Sequence, residues 1–218
     1  MALRIAGVTA LVLAATAGPA AAATLDPLNP CYVSAGPATD QLEDVTVHGV
    51  SFTPGSRVQV FRDGVAYIDA PTDAVGDFTL FVDAPHQPDG EREFTITATD
   101  GVSTLSVQSR VTKLGVTVRP RRSPPSRRVR FRGRGFMQVA PVYAHYLYRN
   151  KEQKTVRLAP GTDGPCGTFS VKRRQIPVRN ARTGRWTVQI DQKQAYSDKP
   201  DPVWVRLPID VSETVGQL

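Results

Sequence analysis

Arg128, Arg130, Arg132 and Arg134 alternate with Val129, Phe131 and Gly133. In an extended strand successive side chains point to opposite faces, so this spacing sets four guanidinium groups on one side. Arg119, Arg121, Arg122 and Arg127 precede them, and Lys172, Arg173 and Arg174 form a second concentration. Guanidinium forks match carboxylate and phosphate oxygens, so the chemistry these residues suit is the binding of an anionic polymer. Two other readings stay open from sequence: docking of the basic residues on an acidic protein surface, within or between chains, and a simply solvated face.

Residues for bond-making chemistry are sparse. His48, His86 and His145 are isolated, and no His-Glu-x-x-His, Gly-x-Ser-x-Gly, phosphate-loop or Cys-x-x-Cys pattern occurs. The expectation is therefore no enzyme, no cofactor and no metal. Asp63, Asp73, Asp77, Asp89 and Asp100 are oxygen ligands by type, but each sits where aspartate builds turns. In Tyr143-Ala-His-Tyr-Leu-Tyr148, period two turns Val142, Ala144 and Tyr146 inward. It leaves Tyr143 and His145 as an exposed aromatic pair able to stack on a sugar ring, or to cover a neighbouring surface. Cys31 and Cys166 are the only cysteines, and are expected to form a disulfide.

The chain begins as an export signal, with Arg4 before an apolar run over Ile5–Gly18 and small residues at Ala20–Ala23. That run is shorter than the roughly 20 residues of a membrane span, so the mature form is expected to lack a transmembrane anchor. A secreted or wall-associated location follows as the expectation, and oxidising surroundings favour the disulfide. Export also argues against nucleic acid as the partner, and aromatic residues do not interleave with the arginines as a stacking platform requires. The net charge of +7 conceals a division. Residues 24–118 hold 5 basic and 13 acidic side chains, a net −8, whereas residues 119–218 hold 21 basic and 7 acidic, a net +14.

These groups must be positioned by strands. Val45–Pro85 and Val129–Pro177 read as two copies of one pattern, with Gly49, Phe52, Gly76 and Phe78 matching Gly133, Phe136, Gly167 and Phe169. Both copies alternate apolar and polar residues in short runs separated by Gly, Pro and Asp, which predicts antiparallel β-sandwiches. The organisation expected is a signal peptide over 1–23, an acidic sandwich over 24–118, a stiff basic Pro-rich linker over 119–127 and a basic sandwich over 128–218.

Gly49-Val-Ser-Phe-Thr-Pro-Gly-Ser-Arg-Val58, followed by Gly76-Asp-Phe78, resembles bacterial immunoglobulin-like modules, and its turn pattern is similar to the neocarzinostatin-type secreted sandwiches of actinobacteria. The likeness covers about 70–80 residues in each half. It implies an all-β fold of two tandem immunoglobulin-like antiparallel sandwiches. The second half departs from the motif, with Met137–Ala140 in place of Thr53–Ser56. Each half has one cysteine, where the neocarzinostatin type has a disulfide within the sandwich. Charge, export and fold together lead to the expectation of a non-catalytic cell-envelope module whose second domain binds an anionic polymer. The alternatives are a structural protein whose acidic and basic domains pair, in one chain or by self-association, and more remotely a small-ligand carrier or enzyme.

Overall fold

The computed structural model describes residues 22–34, 42–199 and 203–212. The expected signal peptide lies outside them apart from its last two residues. The described residues hold strands and turns and no helix, and the fold is all-β with immunoglobulin-like sandwiches. The first sandwich is built from β1 (Thr24–Leu25), β2 (Tyr32–Val33), β3 (Asp44–Val50), β4 (Arg57–Arg62), β5 (Val65–Pro71), β6 (Phe78–Asp83), β7 (Glu91–Thr99) and β8 (Thr104–Thr112). The second comprises β9 (Gly115–Arg119), β10 (Arg122–Ser123), β11 (Arg128–Arg134), β12 (Val142–Tyr148), β13 (Lys151–Ala159), β14 (Phe169–Arg174), β15 (Gly184–Asp191) and β16 (Val205–Val211).

The two sandwiches have one topology. In the first, sheet β1-β3-β6 faces sheet β2-β8-β7-β4-β5; in the second, β9-β11-β14 faces β10-β16-β15-β12-β13. Each begins with a strand divided between its sheets. β1 and β9 run antiparallel to β3 and β11, after which β2 and β10 run parallel to β8 and β16. The stretch 119–127, expected to be a linker, thus carries the end of β9 and all of β10. Its Pro and Arg residues obscure two short strands that hydrogen-bond into the second sandwich.

The duplicated Gly and Phe residues form the same small assembly twice. Phe52 meets Phe78 edge-on at 5.2 Å, and Phe136 meets Phe169 at 5.4 Å. A Cβ on Gly49 or Gly133 would overlap the Phe78 or Phe169 ring. Gly76 and Gly167 turn with φ of +90° and +55°, and their carbonyls accept the Phe52 and Phe136 N–H at 3.0 and 3.1 Å. Alternation supplies the rest: β3 buries Val45, Val47 and Gly49, and β11 buries Val129, Phe131 and Gly133. Each sandwich closes on its own apolar cluster, at about 1.5–3 kcal/mol for each large side chain fully withdrawn from water.

Pro208 lies in β16, an interior strand. Asp210 and Ser212 donate their N–H groups to Arg121 and Ser123 carbonyls, and Pro208 has the same parity at a point β10 does not reach. Its missing donor costs no ladder bond there. β5 has no sequence counterpart in the alternation argument, because six of its seven residues are exposed on an edge strand.

The sandwiches are joined by more than the chain. Cys31, just ahead of β2, and Cys166, in the loop between β13 and β14, form a disulfide with Cα atoms 5.2 Å apart. Val33 of β2 packs against the second core, and Leu114 is buried in it. Arg134 pairs with Asp89 of the first sandwich and donates from Nε to the Lys113 carbonyl at 3.3 Å.

Candidate functional site

Pairing around β11 decides which cations share a surface. Arg128 lies opposite Arg174; Arg130 is flanked by Lys172 on β14 and Arg119 on β9; Arg132 is flanked by Ser170 and Thr117. Inward residues of the same strands are Val129, Phe131, Val118 and Phe169, so the cations occupy the outer face. The result is a ladder of Arg119, Arg128, Arg130, Arg132, Lys172 and Arg174, all exposed. Rungs stand about 7 Å apart along a strand and about 5 Å across strands. The sequence identified the β11 arginines, Lys172 and Arg174. It placed Arg119 in a linker, and only strand β9 brings that residue onto the sheet.

Arg173 departs from the expected set. It pairs across from Val129 and therefore projects to the opposite side of β14, where Nη1 donates to the Lys172 carbonyl at 3.2 Å. Three consecutive cations on a strand cannot share one face. Arg134 is also distinct, because it is half-buried and already engaged by Asp89.

No described carboxylate forms an ion pair with any of the six ladder cations. Two like charges 6 Å apart repel by about 0.7 kcal/mol in bulk water and more beside a protein surface. The sheet tolerates this because the side chains are exposed and salt screens them. An anion lying along the face would relieve several such terms at once. A groove of about 300 Å³ among Thr117, Arg119, Arg130 and Arg132 runs along the ladder. It adjoins a cleft of about 660 Å³ between the sandwiches.

The expected Tyr143–His145 aromatic surface is corrected by the structure. Tyr143 is half-buried, and His145 is fully buried. Val142, Ala144 and Tyr146 do point inward, but the opposite face at His145 is covered by the connection after β15. Tyr196 of that connection lies against the imidazole at 5.7 Å. Nε2 donates to Asp191 Oδ1 at 3.2 Å and the Lys193 carbonyl at 3.1 Å. Nδ1 lies 2.6 Å from Thr155 Oγ1 and 3.3 Å from Glu152 Oε1, while the Thr155 hydroxyl itself donates to Glu152. Both ring nitrogens therefore face acceptors, which suits the imidazolium. Burial alone would push the His145 pKa down; hydrogen bonding and charge from Asp191, then Glu152 and the Lys193 carbonyl, outweigh it and hold the pKa above its ordinary value. Gln189 extends the network to Asp191 Oδ2 at 2.9 Å, and accepts from Arg206 Nε at 2.8 Å. This is a folding device that fastens the 192–199 segment.

The turn aspartates have backbone partners. Asp73 Oδ1 accepts from Val75 and Asp77 N–H at 2.9 Å, and Asp77 Oδ1 from Ser51 at 3.1 Å. Asp100 accepts from Thr53, Val102 and Ser103, and these donors overcome a desolvation penalty to hold its carboxyl below the usual range. Asp63 accepts from the Thr95 N–H at 3.0 Å and pairs with Arg92 at 2.9 Å. Asp89 pairs with Arg134.

No family model and no curated protein matches this chain. Among solved structures it is similar to a titin tandem of immunoglobulin domains, at 12% identity and a TM-score of 0.31, over 87% of this chain and 95% of that one. Fibronectin(III)-like modules of Clostridium thermocellum CbhA give 13% identity and a TM-score of 0.29, over 87% and 94%. A fragment of a bacterial ice-binding adhesin concerned with host cell surface retention gives 14% and 0.33, over 88% and 64%. The fold itself rests on the strand pairing above, and function on the residues.

Proposed function

We propose that this chain is an exported, non-catalytic module of the cell envelope whose second sandwich binds an anionic polymer across β9-β11-β14. The observation that carries the reading is the ladder: six exposed cations on one face, none paired with a described carboxylate. Outside the cell the abundant polyanions are wall phosphate polymers, acidic polysaccharides and lipid headgroups. Exposed guanidinium contacts make such binding salt-sensitive. Replacing Arg128, Arg130 and Arg132 together by Gln is expected to weaken retention on isolated envelope material roughly a hundredfold, at about 1 kcal/mol for each exposed charge-assisted contact. Retention that is equal at low and high salt, or unchanged in the triple variant, refutes the reading.

A second reading has its own observation. The sheet equivalent to the ladder in the first sandwich carries Asp44 opposite Asp83, with Asp26 beside His48 at 2.8 Å. Acidic and basic sheets on different copies are electrostatically matched, which supports head-to-tail self-association. Sedimentation of the intact chain distinguishes the two: association that grows with concentration and vanishes in high salt supports pairing, and a monomer at all concentrations removes it.

A further inference from the structure

Where the ladder ends, its surroundings change character. Arg132 lines both the narrow groove beside Arg119 and Arg130 and the larger cleft between the sandwiches. Arg132 lines that cleft together with Asp163, Thr168 and Ser170, and Val116 and Phe169 border it at the end of the sheet. At about 660 Å³ the cleft has the size of a small-molecule site.

Of the two carboxylates lining the cleft, Asp89 is paired with Arg134 and Asp163 is not. The Asp163 backbone is fixed by a two-way bridge to Thr168, with N–H to carbonyl distances of 2.7 and 2.8 Å. The Thr168 hydroxyl adds a bond to the Asp163 carbonyl at 3.0 Å. The carboxylate, by contrast, is exposed to solvent and has no hydrogen-bond or ion-pair partner among the described residues. Cys166, in the same loop, is bonded to Cys31, so the loop that carries Asp163 is tied to the first sandwich.

We propose that this cleft takes a hydroxylated unit of the polymer, making the preferred ligand a polyol- or sugar-phosphate chain rather than a bare polyanion. The inference rests on the ladder reading above. An ionised carboxylate only accepts hydrogen bonds, so it repels phosphate and exchanges its water only for another donor. A polyol or sugar supplies hydroxyl donors; inorganic polyphosphate at neutral pH supplies almost none. Arg132 holds a phosphodiester while Asp163 receives the hydroxyl of the adjoining unit, and the Thr168 and Ser170 hydroxyls bond to either. The carboxylate selects against unsubstituted polyanions by repulsion as well as for hydroxyls by bonding.

The test uses the intact oxidised chain with two probes, poly(glycerol phosphate) and inorganic polyphosphate of matched phosphate number, at one ionic strength. The wild type is expected to prefer poly(glycerol phosphate). Asp163→Ala removes the acceptor and the repulsion, and lowers that preference about tenfold, the worth of one hydrogen bond to a charged group. Asp163→Asn keeps the shape and the acceptor, and narrows the preference by raising affinity for polyphosphate. Equal affinity of the wild type for both probes, or a preference unchanged in both variants, overturns the cleft assignment and leaves the ladder standing. Binding of neither probe overturns both.

Discussion

Sheets β1-β3-β6 and β9-β11-β14 occupy equivalent places in the two sandwiches, and their inner and outer faces tell opposite stories. Inside, Val45, Val47, Gly49 and Phe78 stand where Val129, Phe131, Gly133 and Phe169 stand, with the same Gly–Phe approach in each. Outside, Asp44 is matched by Arg128, Thr46 by Arg130, His48 by Arg132, Phe81 by Lys172 and Asp83 by Arg174. Packing constrains the inner face to one methylene group, because overlap cannot be relieved there. Nothing comparable binds the outer face, so charge could invert without disturbing the fold. What the sandwiches share is the inner face, and what distinguishes them is the charge of the outer one.

The sandwiches also differ after their equivalent strands β7 and β15. The first returns over residues 100–103, whereas the second connection is longer, and Tyr196 within it covers His145. Breaking that feature gives the largest expected effect. His145→Ala leaves Asp191 and Glu152 without their cation, and is expected to destabilise the second sandwich by about 3–5 kcal/mol. Because its folded pKa is raised, the His145 contribution is fully present below its unfolded value of 6.5 and lost as pH rises through the folded pKa. Denaturant unfolding at pH 5.5 and pH 9 measures this. The wild type should lose stability at the higher pH, and His145→Phe should flatten the dependence.

Next in size is a test of the shared scaffold. Gly49→Ala and Gly133→Ala each drive a methyl group into a Phe ring, and each should cost about 1–3 kcal/mol. Near-equal losses, read by chemical denaturation, sharpen the equivalence; a loss at one glycine alone breaks it. The smallest effect is a gain. The Tyr146 hydroxyl is buried without a hydrogen-bond partner among the described residues, and desolvation pushes its pKa up. Tyr146→Phe should stabilise the chain by about 1 kcal/mol, seen as a higher midpoint of thermal unfolding.

The inner faces were legible in the sequence because period two and the Gly–Phe spacing are local consequences of strand geometry and close packing. Cys31 and Cys166 were legible as the two thiols of an exported chain. Three features were hidden for distinct reasons. β9 and β10 are short and embedded among Pro and Arg residues whose composition reads as a connection. Arg173 reads as one cluster with Lys172 and Arg174 because adjacency in sequence resembles adjacency in space, whereas the pleat separates them. Periodicity places His145 on the face opposite Ala144, but it cannot report that a distant segment comes back to cover that face.

The Cys31–Cys166 bond has a mechanical consequence. Cys31 precedes β2, and Cys166 lies 135 residues further along the chain. Force between the segment at Cys31 and the loop at Cys166 therefore has a covalent route through sulfur that bypasses strands β2 to β13. Pulling the two sandwiches apart at that point strains a bond rather than a row of hydrogen bonds.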